Sequence, residues 1–147
     1  MTAILEASGL RKVYQGGDGL PIEVLSGVDL AVSRGEFVAI VGSSGSGKST
    51  LLHLLGALDV PSAGTVQLDG RQYGDLDPDA LATVRNRKIG FVFQFHHLLR
   101  EFTALENVML PLLIAGEEEA KARSRAEELL AAVGPVSYTH LTLPTKA

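Results

Sequence analysis

The stretch from Glu36 to Leu55, EFVAIVGSSGSGKSTLLHLL, limits what this chain can fold into more than any other part of it. Gly42, four intervening residues, Gly47, Lys48 and Ser49 satisfy the pattern GxxxxGK[ST], which carries weight only between a strand and a helix. Both flanks are of that kind. Phe37, Val38, Ala39, Ile40 and Val41 form an apolar run expected to be a buried strand, and Leu51, Leu52, Leu54 and Leu55 make the next segment helical and apolar on more than one side. The segment therefore reads as a phosphate-binding loop rather than a glycine- and serine-rich connection with a chance lysine. Its residues Gly42, Ser43, Ser44, Gly45, Ser46 and Gly47 can turn successive backbone N–H groups inward on one anion, because glycine admits conformations closed to residues with a Cβ. The helix beginning near Gly47 aims further unpaired amides, and about half a positive charge, at the same point. Lys48 adds a mobile full charge for the β- and γ-phosphates, Ser49 a hydroxyl suited to a bridging magnesium ion, and Thr50 a hydroxyl within reach of the α-phosphate.

At 147 residues with 46% apolar content, the chain is long enough for one compact domain and too short for two of ordinary size. A net charge of −4 supplies no global positive field for nucleic acid, and the basic residues Arg85, Arg87 and Lys88 read as a solvated helix end. Cysteine is absent, which excludes disulfide frameworks and thiolate metal sites and fits a reducing compartment. The amino terminus, with Glu6 in place of an uninterrupted apolar run, is not expected to be a signal peptide. Val108 to Ala115 is interrupted by Pro111 and far short of the roughly 20 residues that a spanning helix needs. A soluble protein that docks on a membrane partner is the expectation.

Ile4 to Tyr14 reads as a strand and Ile22 to Val32 as one or two more, with the turn-rich Gln15 to Gly19 between them, so a hairpin is expected. Tyr14 ends the first strand. By residue type it is an ordinary cross-strand aromatic; as a flat π face at a pocket edge it would also serve an adenine ring. After the loop's helix, expected to end near Leu58, Thr65 to Leu68 reads as a short strand and Asp69-Gly70 as a turn. A helix is expected from Pro78 to Arg87 with Asp77 as its N-cap. Ile89 to Phe93 returns as a strand ending on Gln94, where open α/β sheets place ligand-facing residues. Gln94 could ligate magnesium or hold a water, or be a surface glutamine that opens a loop. Adjacent His96 and His97 offer poor chelation geometry and are not read as a metal site, nor is His53. Thr103 to Glu106 has capping-box spacing, starting a helix toward Ile114. Phe95, Leu98, Leu99 and Phe102 precede it as either a contact surface or part of the domain's own core. The next helix, Glu117 to Val133, is expected to bury Ala126, Leu129, Leu130 and Val133, to form the pairs Glu117–Lys121 and Glu119–Arg123, and to end at Gly134.

Tyr14, the phosphate loop and Gln94 together make the chain resemble the nucleotide-binding subunit of ATP-binding cassette (ABC) transporters. The resemblance implies an α/β P-loop fold of the ABC type, with an N-terminal antiparallel β subdomain and a parallel core sheet, incomplete at the C-terminus. It implies that Tyr14 stacks on adenine and that Gln94, as the family's Q-loop glutamine, contacts magnesium or the attacking water and reports nucleotide state to the membrane subunits. Glu36 to Asp59 and Gly90 to Pro111, GFVFQFHHLLREFTALENVMLP, are similar to the branch that powers lipoprotein release from the bacterial inner membrane; Arg100 stands where that pattern has proline. The cofactors implied are ATP and Mg2+. The partners implied are integral membrane subunits, docking through the region of Phe95, Leu98, Leu99 and Phe102, and a second ATPase subunit, and the location implied is the cytoplasmic face of the inner membrane, peripherally. Other exporter branches, or a soluble ABC ATPase without a transport role, are the alternatives.

The resemblance covers Ile4 to about Gly134, giving a partial nucleotide-binding domain over 1–134. The segment 135–147, PVSYTHLTLPTKA, fits nothing in the family and is expected to be disordered or foreign. The LSGGQ motif, the Walker B strand with its catalytic glutamate, and the switch histidine find no match. The expectation is therefore a chain that grips nucleotide but has no complete catalytic set, with an open sheet edge that invites aggregation.

Overall fold

The computed structural model describes residues 3–95 and 97–134. The chain divides into two units, 1–85 and 86–147; the segment 135–147 lies outside the described residues.

In the first unit β1 (Ala3–Gln15) and β2 (Pro21–Ser33) form a long antiparallel hairpin. The turn is closed by the Gly16 N–H donating to the Leu20 carbonyl at 2.8 Å, with the Leu20 N–H donating to Asp18 Oδ1 at 3.1 Å, the local chemistry that suits aspartate and glycine to turns. β3 (Ala63–Leu68) pairs antiparallel with the other edge of β1, and the two-residue β4 (Arg71–Gln72) follows the Asp69-Gly70 turn, giving the order β2-β1-β3-β4. The register of β1 against β2 slips between Ala7 and Leu10, around Gly9 at φ +57°. One extra residue in a strand reverses the face of all that follow. Ala7 and Leu10, three apart, are consequently both buried.

α1 (Lys48–Leu55) lays Leu51, Leu54 and Leu55 against this sheet, where they join Leu10, Leu25, Val66 and Tyr73 in the core, and Leu10 and Leu54 are fully enclosed. The helix stops at Leu55, short of the expected Leu58, because Gly56 follows and Ala57 turns to φ +56°. Its unpaired Leu55 carbonyl accepts the Tyr73 hydroxyl at 2.9 Å, meeting the need every helix end creates. α2 (Pro78–Lys88) begins as expected, with Asp77 Oδ1 accepting the Ala80 N–H at 2.8 Å, and its last turn enters the second unit.

The second unit is built on α3 (Ala104–Ile114) and α4 (Glu119–Val133). The capping box forms as the spacing predicts: the Glu106 N–H donates to Thr103 Oγ1 at 3.2 Å and the Thr103 N–H to Glu106 Oε2 at 2.7 Å. Met109, with Leu105, Val108 and Leu112, packs on Ala122 and Ala126. The α4 face is thus a small-residue face that permits close approach, not the expected Leu129 and Val133, which are 41% and 81% exposed. The expected i,i+4 pairs are also revised. Because α4 starts at Glu119, Glu117 stands outside it; among the described residues α4 carries the pairs Arg123–Glu127 at 4.0 Å and Arg125–Glu128 at 3.0 Å.

Neither apolar run expected to belong to a parallel core sheet is a strand: residues 37–41 and 89–93 have no ladder partner among the described residues. A strand is defined by the neighbour that takes its N–H and C=O groups, and an apolar run alone does not provide one. Phe37 and Val41 are accordingly 94% and 87% exposed.

Candidate functional site

The loop between residue 41 and α1 takes the shape that its glycines permit. Gly45 and Gly47 hold φ of +80° and +85°, and Gly47 is the left-handed N-cap residue from which α1 departs, its carbonyl accepting the Leu51 N–H at 2.8 Å. A Cβ on Gly47 would lie 2.9 Å from the Val24 carbonyl and from Leu25 Cδ2 on β2. Glycine is required there twice over, by dihedral and by space. The Lys48 ammonium folds back over the loop, donating to the Gly42 carbonyl at 2.9 Å and the Ser43 carbonyl at 2.6 Å, with Ser46 Oγ at 3.4 Å. The side chain thus ties the two ends of the loop together while keeping a mobile charge at its centre.

Ser44, Gly45, Gly47, Lys48, Ser49 and Thr50 line one open cavity of about 530 Å3, with Val24 at its wall. It holds a full positive charge, hydroxyls from Ser44, Ser49 and Thr50, and the free amides of a helix N-terminus. That is the donor set of a polyphosphate site. The Ser49 hydroxyl in the first turn of α1 is a hard oxygen of the kind magnesium takes beside phosphate oxygens.

Tyr14 and the loop come together. The Tyr14 phenol donates to Asp59 Oδ2 at 2.8 Å, and Thr50, in the first turn of α1, is near enough to influence its ionisation. The Asp59 bond, more than any other influence, raises the phenol above its ordinary pKa, while Thr50 pulls it the other way. Tyr14 itself is 38% exposed. Its neighbours Lys12 and Asp59 went unremarked in the sequence, where 47 residues separate them and neither belongs to a motif. Lys12 is buried, and its ammonium donates to Asp59 Oδ1 at 2.6 Å and to the Val60 carbonyl at 2.7 Å. The Lys12 bond holds the Asp59 carboxyl below the usual range.

Gln94 belongs to the second unit, exposed in a bend that opens the segment before α3. In that segment Phe95, Leu98, Leu99 and Phe102 are 68%, 44%, 47% and 40% exposed. Asn107 of α3 holds the segment, accepting the Leu99 N–H at 2.9 Å and donating to the carbonyls of Leu99, Phe102 and Thr103 at 3.0, 3.1 and 2.9 Å. Sequence reading passed over Asn107; its position one residue after the capping-box glutamate was the available signal.

The ABC transporter family profile matches residues 25–146. Among curated proteins, the lipoprotein-releasing system ATP-binding protein LolD of Bordetella pertussis is 57% identical over 130 residues, which are 88% of this chain and 56% of that protein. LolD of Geobacter metallireducens is 54% identical over 134 residues, 91% of this chain and 59% of that protein. Among solved structures, the bacterial ABC transporter cassette MJ0796, determined as a dimer, superposes with a TM-score of 0.78 at 43% identity, over 86% of this chain and 56% of that one. The same cassette in a post-hydrolysis state bound to ADP and Pi gives the same values. The chain spans a little over half the length of the relatives it matches.

Proposed function

The chain belongs to the ABC transporter family, and from that premise we propose that it is the nucleotide-binding portion of an ATPase subunit whose ATP hydrolysis drives lipoprotein release from the bacterial inner membrane. The cavity at the head of α1 carries this reading: Lys48, Ser49, Thr50, Gly45 and Gly47 line one open space of polyphosphate size. In the proposed complex the amides and Lys48 hold the β- and γ-phosphates, Thr50 meets the α-phosphate and Tyr14 stacks on the adenine. Ser49 would hold magnesium, and Gln94 would have the magnesium- or water-contacting role of the family's Q-loop glutamine. Magnesium supplies charge neutralisation on the phosphates; this chain's own groups bind and orient. The lipoprotein-releasing branch is favoured by the names of the relatives at 54% and 57% identity.

Partners follow from the same premise. Phe95, Leu98, Leu99 and Phe102 are proposed to dock on the membrane subunits, and a second ATPase subunit is proposed to complete each nucleotide site, as the relative solved as a dimer suggests. The proposed place is peripheral, at the cytoplasmic face of the inner membrane; no helix among the described residues is long and apolar enough to cross one. On this reading the phosphate loop of this chain holds Mg·ATP. Equilibrium titration with Mg·ATP tests it, with Lys48→Ala expected to weaken binding by at least ~10-fold, the equivalent of about 1.4 kcal/mol. An unchanged affinity in that variant would show that the loop is not the site.

A further inference from the structure

Three side chains bridge β1 and the end of the loop's helix, and the phosphate-binding motif does not account for them. Lys12 and Tyr14 lie two apart on β1 and so share a face; the Lys12 ammonium stands 4.9 Å from the Tyr14 ring centroid, a cation–π distance. Asp59, just past α1, takes Lys12 on one carboxylate oxygen and the Tyr14 phenol on the other, at 2.6 and 2.8 Å. An exposed tyrosine whose hydroxyl meets only water keeps its side-chain freedom. Here the hydroxyl is tied to a carboxylate that a buried lysine holds in turn, so the ring's direction is set by the body of the protein. Asp59 is itself joined to α1, its N–H donating to the His53 carbonyl at 3.3 Å, which ties the aromatic to the helix that carries the phosphate loop.

We propose that Asp59 is a positioning residue for the nucleobase: through the Tyr14 phenol it holds the ring at a set place relative to α1, so that one nucleotide reaches both the ring with its purine and the loop with its phosphates. This rests on the nucleotide reading of the loop. Asp59 need not touch the nucleotide. Its effect is confined to the base end, and that separates it from a residue that merely supports the fold.

Calorimetric titration of the full chain with Mg·ATP and with Mg·tripolyphosphate, which has the phosphates and no base, tests the assignment. Wild type should bind ATP more tightly than tripolyphosphate. Asp59→Ala should weaken ATP by about 5-fold and leave tripolyphosphate within about twofold. Because Asp59→Ala strands a buried ammonium and can impair folding, Tyr14→Phe is the second arm: it severs only the phenol link, leaves the Lys12–Asp59 pair standing, and should give the same selective loss. The double variant should lose no more than the larger single loss, since both act through one contact. Equal losses on both ligands, or ATP binding by Tyr14→Phe indistinguishable from wild type, would overturn the positioning role while leaving the phosphate site intact. A wild-type chain that binds tripolyphosphate as tightly as ATP overturns it too. If wild type binds neither ligand, the nucleotide reading falls and takes this inference with it.

Discussion

Gly47 and Gly45 look alike in the sequence and differ in what surrounds them. Both sit at left-handed φ, but a Cβ on Gly45 would meet nothing within 4 Å, whereas one on Gly47 would press on the Val24 carbonyl and Leu25. Gly45→Ala should therefore cost only the left-handed conformation, about 1 kcal/mol, while Gly47→Ala adds a clash with backbone that cannot swing away. Urea unfolding of the two variants should show Gly47→Ala the more destabilised by at least ~1 kcal/mol, with its Mg·ATP affinity falling further. Equal destabilisation would contradict the packing argument. The glycine spacing made both positions legible in advance, because a loop motif is local. The Lys12–Asp59–Tyr14 link was not legible: it joins residues 45 and 47 apart, on elements whose juxtaposition only the fold creates.

Elements divide along the same line. The Asp77 cap and the Thr103–Glu106 box could be read in advance because their signals and their bonds lie within a few residues, and the β1–β2 hairpin because its turn does. The face of α4 could not, since leucines mark a helix as amphipathic without saying which stripe a neighbour will meet, and α3 meets the alanines. The expected strands at 37–41 and 89–93 fail for the corresponding reason in sheets: pairing is supplied by another segment, and none of the described strands pairs with them. The segment before α3 falls between these cases. Its apolar residues were plain in the sequence, but Asn107, with four hydrogen bonds to that segment's backbone, is what keeps them presented. If the segment docks on membrane subunits, replacing Leu98, Leu99 and Phe102 together by serine in the longer subunit should lower its recovery with those subunits at least ~10-fold in a pull-down. Mg·ATP affinity should stay unchanged. Undiminished recovery would remove the docking role.

At the scale of the whole molecule, Tyr73 and Asp59 are two of the groups through which stability follows pH. Burial pushes the Tyr73 phenol up to about 12 from 10.0. A group whose folded pKa is raised gives its full contribution below the unfolded value and loses it as pH climbs through the folded one. Asp59 acts in the opposite sense: lowered from 3.8, chiefly by the Lys12 hydrogen bond, it contributes above that value and stops doing so as pH falls through its folded pKa. The urea midpoint should therefore decline between about pH 10 and 12 and again below about pH 4. In Tyr73→Phe the alkaline decline should shrink and the acid decline remain. An alkaline limb identical to wild type would show that Tyr73 does not couple to folding.

The four strands of the sheet are all drawn from the first 72 residues, each pairing with others of that set. The consequence is one of timing. A chain made from its amino end has the whole of this platform available before α3 and α4 have been synthesised, and the segment 37–41 leaves it as an excursion between β2 and α1 rather than as one of its strands. The part that would grip phosphate is thus mounted on a portion that can take its final form before α3 and α4 exist.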